Sequence, residues 1–151
     1  MSPTLLSIGV VNVTCGNNVK IVEPSNLYDC VLEDNVFIGP FVEIQSDVAV
    51  GRNTKIQSHS FLCSLVTIGS DCFIGHGVMF INDLFSTGSP SAGNKDLWKE
   101  TKIGNNVSIG SNATILPVAI CDNVVIAAGA VVTKDIIISG TYGGVPAKRL
   151  K

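Results

Sequence analysis

Two side chains of this 151-residue chain are suited to proton transfer near neutral pH, the histidines His59 and His76. A neutral imidazole can take a proton from an attacking amine or hydroxyl, which is the work of a general base. Taken singly, either histidine is equally well explained as a solvated or structural side chain. Whether the two act together therefore depends on how the residues between them fold.

The composition excludes several classes of protein. Apolar residues make up 46% and charged residues 15% of the chain, which excludes a disordered protein. The net charge of −2 argues against nucleic-acid binding as the main task. No apolar run approaches the ~18 residues of a membrane helix, and no basic residue precedes Lys20, as a secretory signal would require. We therefore expect a cytoplasmic protein without membrane insertion.

The cysteines do not form a recognisable disulfide or metal-binding pattern. Their number is odd, and no two are spaced as C-x-x-C, which is the spacing that thiolate zinc sites favour. We interpret them as free thiols in a reducing compartment and expect no bound metal. The five are Cys15, Cys30, Cys63, Cys72 and Cys121.

An apolar residue recurs at every sixth position through most of the chain. A six-residue period fits neither a helix of 3.6 residues per turn nor a series of hairpins. It fits short strands joined by tight turns, in which Asn and Gly supply the positive φ angles. The series is Leu32, Ile38, Ile44, Val50, Ile56, Leu62, Ile68, Ile74 and Phe80; it resumes at Ile103, Ile109 and Ile115, slips by one residue, and continues at Ile120, Ile126 and Val132.

Three runs resemble the hexapeptide repeats of the left-handed parallel β-helix family: Ile38–Glu43, Ile68–Gly75 and Ile103–Ser108. The resemblance implies an all-β fold in which three hexads form one triangular coil, so that residues eighteen apart stack vertically. We expect a single domain over 1–151 with about five coils. Residues 1–26 fit the hexads poorly and are predicted to form an irregular opening segment.

This winding would bring the two histidines to one corner of the helix on adjacent coils, with His59 beneath Gly77 and Ser58 beneath His76. The hexads are then interrupted by the segment 82–102, which is rich in Gly, Ser and Pro. We predict that this segment is a protruding loop. A tolerated surface insertion would explain it too, but long loops in compact repeats are more often functional.

The end of the chain resembles the closing segment of hexapeptide acyltransferases, in Gly129–Asp135 and Gly144–Lys148. The resemblance implies that acetyl-CoA lies along the last coils and the tail, 137–151. The cations expected to meet its phosphates are Lys134, Lys148 and Arg149. A basic tail that serves only solubility is the alternative.

Two strings resemble one subgroup of these enzymes more closely, Ile56–Phe61 and Ile74–Asp83. The subgroup comprises bacterial N-acetyltransferases that act on dTDP- or UDP-linked 3-amino sugars for surface polysaccharides such as O-antigen. By this resemblance Asn82 contacts the sugar and Asp83 helps to hold its amine. The function that the resemblance implies is transfer of an acetyl group from acetyl-CoA to a nucleotide-linked amino sugar.

The chemistry of this transfer requires alignment of the two reactants, an oxyanion donor and an unprotonated amine. Gly75 and Gly77 allow the thioester to approach the backbone closely, so we expect the oxyanion donor near this corner. His76 or His59 is the candidate general base. Alternatively, the amine binds in its neutral form and the departing thiolate takes the proton.

Apolar side chains at outward positions predict an oligomer. Phe37 and Phe73 fall on one vertical line with Lys55 between them, and Phe61 and Met79 fall on another. Monomers rarely expose such surface without use. The family resemblance implies a homotrimer with active sites between neighbouring helices and the long loop reaching across.

Three other functions need to be weighed. A γ-class carbonic anhydrase has the same fold but needs three histidines per zinc ion, and this chain has two. An O-acetyltransferase acting on a small hydroxyl acceptor remains a candidate. So does a non-catalytic β-helix that serves as a binding or scaffold protein.

Overall fold

The computed structural model describes residues 1–151 and consists almost entirely of short strands. The only helix is one 3-10 turn over Lys95–Leu97, so the structure offers no helix of the length and hydropathy that membrane crossing requires. The strands are β1 (Val10–Val11), β2 (Thr14–Cys15), β3 (Lys20–Ile21), β4 (Asn26–Tyr28), β5 (Val31–Leu32), β6 (Phe37–Ile38), β7 (Glu43–Ile44), β8 (Ala49–Val50), β9 (Lys55–Ile56), β10 (Phe61–Leu62), β11 (Val66–Ile68), β12 (Phe73–Ile74), β13 (Met79–Phe80), β14 (Thr101–Ile103), β15 (Ser108–Ile109), β16 (Thr114–Ile115), β17 (Ala119–Ile120), β18 (Val124–Ile126), β19 (Val131–Val132), β20 (Gly140–Gly143) and β21 (Lys148–Arg149).

These strands form three sheets, and successive strands belong to successive sheets. Sheet 1 has the order β1-β4-β7-β10-β13-β16-β19, sheet 2 the order β2-β5-β8-β11-β14-β17, and sheet 3 the order β3-β6-β9-β12-β15-β18-β20-β21. All pairings are parallel except β20 with β21. The predicted left-handed parallel β-helix is confirmed. The predicted number of coils is wrong, because sheet 1 contains seven strands instead of about five.

The hexad residues form the core by stacking on their equivalents in neighbouring coils. In sheet 3, Ile38 pairs with Ile56, Ile56 with Ile74, Ile74 with Ile109, and Ile109 with Ile126. At most 1% of the surface of each of these residues is exposed to solvent. Branched side chains suit this position because they pack on the pleated surface of the next strand, about 4.8 Å away. The inward-facing residues of sheet 3 therefore form one continuous column of apolar side chains.

The opening segment is more regular than the sequence predicts. Cys15 pairs with Leu32 and Ile21 pairs with Ile38, so a first coil precedes the hexads that are visible in the sequence. The coil is hidden in the sequence because the step from Leu27 to Leu32 is five residues instead of six. Within residues 1–26, irregular backbone is confined to the residues before Val10 and to short connections.

One corner of the triangular coil carries a ladder of amide side chains. Asn18 Nδ2 donates to Asn35 Oδ1 at 3.3 Å, Asn35 Nδ2 to Asn53 Oδ1 at 3.1 Å, and Asn53 Nδ2 to Asp71 Oδ1 at 2.8 Å. All the residues of this corner have φ between 54° and 59°, a left-handed conformation that Asn and Asp tolerate. We call it the asparagine corner, between sheets 2 and 3: Asn18, Asn35, Asn53, Asp71, Asn106 and Asn123.

The predicted protruding loop interrupts the winding between β13 and β14. Val66 of β11 pairs with Thr101 of β14, an interval of 35 residues, whereas coils that the loop does not interrupt are 16 to 18 residues apart. The loop leaves sheet 1 after Phe80 and rejoins sheet 2 at Thr101, two residues earlier than predicted. The Lys99 N–H donates to the Asn82 carbonyl at 2.9 Å and closes its base.

The C-terminal tail is an ordered hairpin on the last coil. Strand β20 extends sheet 3, and β21 returns antiparallel to it, with Gly143 opposite Lys148. The turn between them reaches the next sheet, because the Val131 N–H donates to the Gly144 carbonyl at 3.0 Å. The hairpin therefore covers the end of the helix at the corner between sheets 3 and 1.

Candidate functional site

The structure places both histidines at the corner between sheets 3 and 1, on adjacent coils. The Gly77 N–H donates to the Ser58 carbonyl at 3.0 Å, and the Asn112 N–H donates to the His76 carbonyl at 2.9 Å. His59 consequently lies under Gly77, and Ser58 under His76, as the period of the repeat predicts. Both imidazoles are exposed. We call this the histidine corner: Pro40–Phe41, Ser58–His59, His76–Gly77, Ser111–Asn112 and Ala128–Gly129.

His59 has a left-handed backbone conformation and is supported by an aromatic ring. Its φ is 64°, and Phe41, at the equivalent position one coil below, has a φ of 59°. A left-handed conformation costs a bulky residue about 1–2 kcal/mol. The two rings stack with their centroids 5.0 Å apart and their planes inclined by 32°. The sequence did not predict Phe41 as part of this site.

Gly77 leaves space that the next coil fills. Its φ is 65°, and a Cβ added there would lie 2.6 Å from Asn112 Oδ1. A Cβ on Gly75 would lie 2.7 Å from the carbonyl oxygen of Ile109. Gly75 is therefore required by the close stacking of backbone beside the histidines, whereas at Gly77 the neighbouring atom is the end of the Asn112 side chain. Asn112 thus joins the site although the sequence did not single it out.

The backbone N–H groups of the predicted glycines are not free. The Gly75 N–H donates to the Ile109 carbonyl at 2.8 Å, and that of Gly77 is used by Ser58. Neither N–H group is therefore available to bind an oxyanion. The N–H groups of Ser58, His76, Ser111 and Ala128 take no part in the backbone hydrogen bonds between coils. The corner can offer these four donors to a ligand.

Asn82 and Asp83 lie at the far end of sheet 1 from the histidines. Asn82 Nδ2 donates to the Ser64 carbonyl at 3.1 Å, at the corner between sheets 1 and 2. Six residues of extended chain separate Asn82 from His76, a span of up to about 20 Å. The pair predicted to contact the sugar and the pair predicted to act as base therefore do not meet within one chain.

Asp83 organises the loop. Its Oδ1 accepts a hydrogen bond from the Phe85 N–H at 2.9 Å, and its Oδ2 accepts one from the Ser91 N–H at 2.7 Å. These bonds, first that from Ser91 and then that from Phe85, lower the pKa of the Asp83 carboxyl. Ser91 Oγ in turn accepts from Trp98 Nε1 at 2.7 Å. Each carboxylate oxygen of Asp83 already accepts a hydrogen bond within the loop. To hold an amine, Asp83 would have to accept a further hydrogen bond from that amine.

The cations predicted to bind the cofactor occupy two separate places. Lys148 and Arg149 lie in β21, above the histidine corner, where Arg149 Nη2 donates to the Ser139 carbonyl at 3.2 Å. Three coil spacings separate β12, which precedes His76, from β20, or about 14 Å along the axis. Lys134 follows β19 and lies at the far end of sheet 1, on the side of Asn82.

Comparison with known proteins identifies these coils. Residues 29–64 match the family described as bacterial transferase hexapeptide (six repeats), and residues 100–134 match the hexapeptide repeat of succinyl-transferase. The chain belongs to the hexapeptide-repeat transferase family. The bifunctional protein GlmU of Streptococcus uberis is 38% identical over 106 residues, which are 70% of this chain and 20% of that protein. This hexapeptide-repeat chain spans less than a third of the length of the curated relatives it matches.

Two solved structures of hexapeptide-repeat acetyltransferases resemble the chain. A variant of perosamine N-acetyltransferase from Caulobacter crescentus, in complex with CoA and GDP-perosamine, has a TM-score of 0.74 and is 21% identical; the match covers 88% of this chain and 57% of that one. Galactoside acetyltransferase in complex with coenzyme A has a TM-score of 0.64 and is 27% identical, covering 93% and 64% of the two chains.

The five cysteines of this hexapeptide-repeat protein are free thiols, and three of them are buried within the coils. Burial raises the pKa of Cys63 to about 12 and that of Cys30 to about 11, and it also raises the pKa of Cys72. Cys15 is exposed and Cys121 is partly buried. No group of three or more His, Cys, Asp or Glu side chains is arranged to hold a metal ion.

The histidine corner is an open surface in the single chain. Three surface depressions are present, and none includes either histidine. The nearest, lined in part by Phe41 and Pro24, lies beneath His59 on the first coils. An enclosed site around His59 and His76 requires a further surface.

Proposed function

We propose that the protein transfers the acetyl group of acetyl-CoA to the amino group of a nucleotide-linked amino sugar. The observation that carries the proposal is the stacking of His59 and His76 at one corner, beneath a column of small residues and a terminal hairpin that bears Lys148 and Arg149. The resemblance of Ile74–Asp83 to enzymes of this type supports the acceptor. So does the complex of perosamine N-acetyltransferase with CoA and GDP-perosamine.

The proposed reaction requires one proton to be moved. The amine nitrogen attacks the thioester carbon, the C–S bond breaks, and the thiolate of CoA leaves. His76 or His59 takes the proton from the attacking amine and returns it to the thiolate. In the alternative, the amine binds neutral and its proton passes to the thiolate without an imidazole.

The oxyanion of the tetrahedral intermediate needs a donor that the coils do not already use. The N–H groups of Ser58, His76, Ser111 and Ala128 are available at the corner. A preorganised backbone donor of this kind typically contributes about 10²–10³ in rate. We assign the role to one of these four N–H groups.

The proposed path of CoA runs from the histidines to the hairpin. The coils above His76 present Ser111, Ala128 and Gly129 at this corner, and no large side chain blocks a pantetheine arm there. Lys148, in β21, lies four strand spacings from β12, or about 19 Å along the axis, and would meet the phosphates. Lys134 lies on the other side of sheet 1 and would meet only CoA bound to a neighbouring copy.

We propose a homotrimer in which each site is shared between two copies. The histidine corner of one copy would face Asn82 and the loop of the next, because these groups lie at opposite ends of sheet 1 in one chain. Phe61 and Met79, adjacent in sheet 1 between the two ends, would be covered by this contact. Covering them would remove apolar surface from water.

The acceptor is tested by incubating the full chain and acetyl-CoA with a panel of sugars and measuring thiol release. UDP- and dTDP-linked 3-amino and 4-amino sugars are expected to react. Matched sugars with hydroxyl in place of the amine, and galactosides, are the controls. Reaction of the hydroxyl acceptors alone would replace the assignment by an O-acetyltransferase, and failure to bind acetyl-CoA would indicate a non-catalytic β-helix.

The shared site is tested by mixing two inactive variants, His76→Ala and Asn82→Ala, after reversible dissociation. If each site draws His76 from one copy and Asn82 from the next, random reassembly restores about one quarter of the wild-type sites. No recovery, or a monomer by light scattering at micromolar concentration, would contradict the shared site.

A further inference from the structure

Sheet 3 presents an alternating row of lysines and aromatic rings on its outer face. Lys20 pairs with Phe37, Phe37 pairs with Lys55, and Lys55 pairs with Phe73. Successive members are about 4.8 Å apart along the sheet, so Phe37 lies between two lysines on neighbouring coils. The sequence suggested that Phe37, Lys55 and Phe73 belong to a subunit interface, but Lys20 was not visible as a member of this row.

The lower part of the row lies in a surface depression of about 450 Å³. That volume is in the range of small-molecule sites. Its lining contains no carboxylate, in a chain whose net charge is −2. The residues that line it are Asn18, Lys20, Asn35, Val36, Phe37, Lys55 and Gln57.

The two lysines of the depression have no anionic partner. The structure contains one salt bridge, between Lys102 and Glu100, and neither Lys20 nor Lys55 takes part in it. The amide of Gln57 lines the same depression. Covering these groups with an apolar surface of another copy would cost desolvation energy, whereas an anionic ligand would satisfy them.

We propose that this depression binds the nucleoside diphosphate part of the substrate, a subsite that rests on the proposed function. The base packs on the ring of Phe37, since nucleobases stack on aromatic side chains. The diphosphate lies against Lys55 and Gln57, and Lys20 adds a second positive charge. The row thus selects an acceptor that carries both an aromatic base and phosphates.

The position of the depression fits the site of acetyl transfer. Lys55 and Gln57 belong to the strand and turn that lead to His59, and Lys55 is at most about 13 Å of extended chain away from it. A diphosphate at Lys55 and Gln57 therefore directs its attached sugar towards the histidine corner. The depression and the histidines are on consecutive parts of one surface.

The test measures binding of UDP, dTDP, uridine and pyrophosphate to the full chain by calorimetry at low ionic strength. UDP or dTDP is expected to bind, and Lys20→Met and Lys55→Met are each expected to weaken that binding tenfold or more. Lys102→Met, an exposed lysine on sheet 2, is the matched control and should bind as the wild type does. Phe37→Leu should weaken nucleotide binding without affecting pyrophosphate.

Several outcomes would overturn the subsite. The first is absence of nucleotide binding to the wild-type chain. The second is nucleotide binding by Lys20→Met and Lys55→Met that is as tight as that of the wild type. The third is pyrophosphate binding as tight as that of UDP. A change of oligomeric state in these variants with unchanged nucleotide affinity would assign the row to an interface instead. Far-UV circular dichroism establishes that each variant is folded.

The failure of the subsite is distinguishable from the failure of the proposed function. If a nucleotide-linked amino sugar is acetylated and Lys55→Met leaves its KM unchanged, the subsite is wrong and the function stands. If nucleotides bind at this row and no amine is acetylated, the subsite stands and the function is wrong.

Discussion

The asparagine corner and the histidine corner occupy equivalent turns of the same coils but use them differently. At both corners the chain turns through a residue with a positive φ angle. Asn53 is an example at the asparagine corner, and His59 is an example at the histidine corner. At the asparagine corner the side chains bond to one another from coil to coil, as Asn35 does to Asn53. At the histidine corner the equivalent positions carry Phe41, His59 and Gly77, which form no such ladder.

The difference indicates what each corner is for. Asn and Asp adopt the left-handed conformation at little cost, and their amides add a vertical row of hydrogen bonds. Phe41, a bulky residue, adopts it at a cost that the surrounding coils impose. Strained residues that the fold maintains are concentrated at functional sites. We therefore propose that one corner stabilises the winding and that the other presents reactive groups on it.

The largest expected difference between substitutions at the two corners is in kcat. We expect that replacing each histidine by Ala lowers kcat, and that the larger of the two losses is about 10²–10⁴-fold because a general base is removed. Asn53→Gly, at the asparagine corner, should leave kcat within a factor of two of the wild type. Steady-state assays of thiol release across pH measure both. Losses below tenfold for both His59→Ala and His76→Ala would remove the base from the mechanism.

The second expected effect is on stability, and it should fall on the other corner. Asn53→Ala keeps a Cβ in the left-handed region but removes the amide that favours this conformation, together with its hydrogen bonds to Asn35 and Asp71. We expect the free energy of unfolding to fall by about 1–3 kcal/mol. Asn53→Gly keeps the backbone freedom and should lose less. Urea unfolding measures the difference, and equal losses for the two variants would contradict the role of backbone strain.

The sequence predicted what depends on the repeat. Ile38 and Ile74 are core residues because the period fixes their direction, and the stacking of Ser58 under His76 follows from the same period. The first coil was missed because the five-residue step from Leu27 to Leu32 breaks the count.

Contacts that the period does not fix could not be predicted. The stacking of Phe41 on His59 depends on side-chain direction at a turn, and the pairing of Lys20 with Phe37 lies in the coil that the count missed. Asp83 was expected to meet the substrate, but its bonds to Phe85 and Ser91 are local contacts of the loop.

A third variant sharpens the comparison by making one corner resemble the other. Phe41→Asn relieves the left-handed strain and removes the stacking on His59, and these two terms oppose each other. We expect the free energy of unfolding to change by less than about 1 kcal/mol while kcat falls, because His59 loses its support. A loss of stability as large as that of Asn53→Ala, with kcat unchanged, would assign Phe41 to the fold.

The smallest expected effect concerns the loop and its dependence on pH. Because the folded pKa of Asp83 is lowered, its contribution to loop order is complete above the ordinary value of 3.8 and is lost as the pH falls through the lowered value. Fluorescence of Trp98 should report the transition below pH 4 in the wild-type chain. Asp83→Asn should lack it, and the same transition in that variant would assign it to another group.

The central claim is that acetyl transfer takes place at the histidine corner, and a crystal structure of the protein with CoA tests it most directly. The account predicts that the CoA sulfur lies beside His59 and His76 and that its phosphates approach Lys148 at the terminal hairpin. CoA bound along the asparagine corner, with its sulfur beside Asn53 or Asn106, would contradict the account.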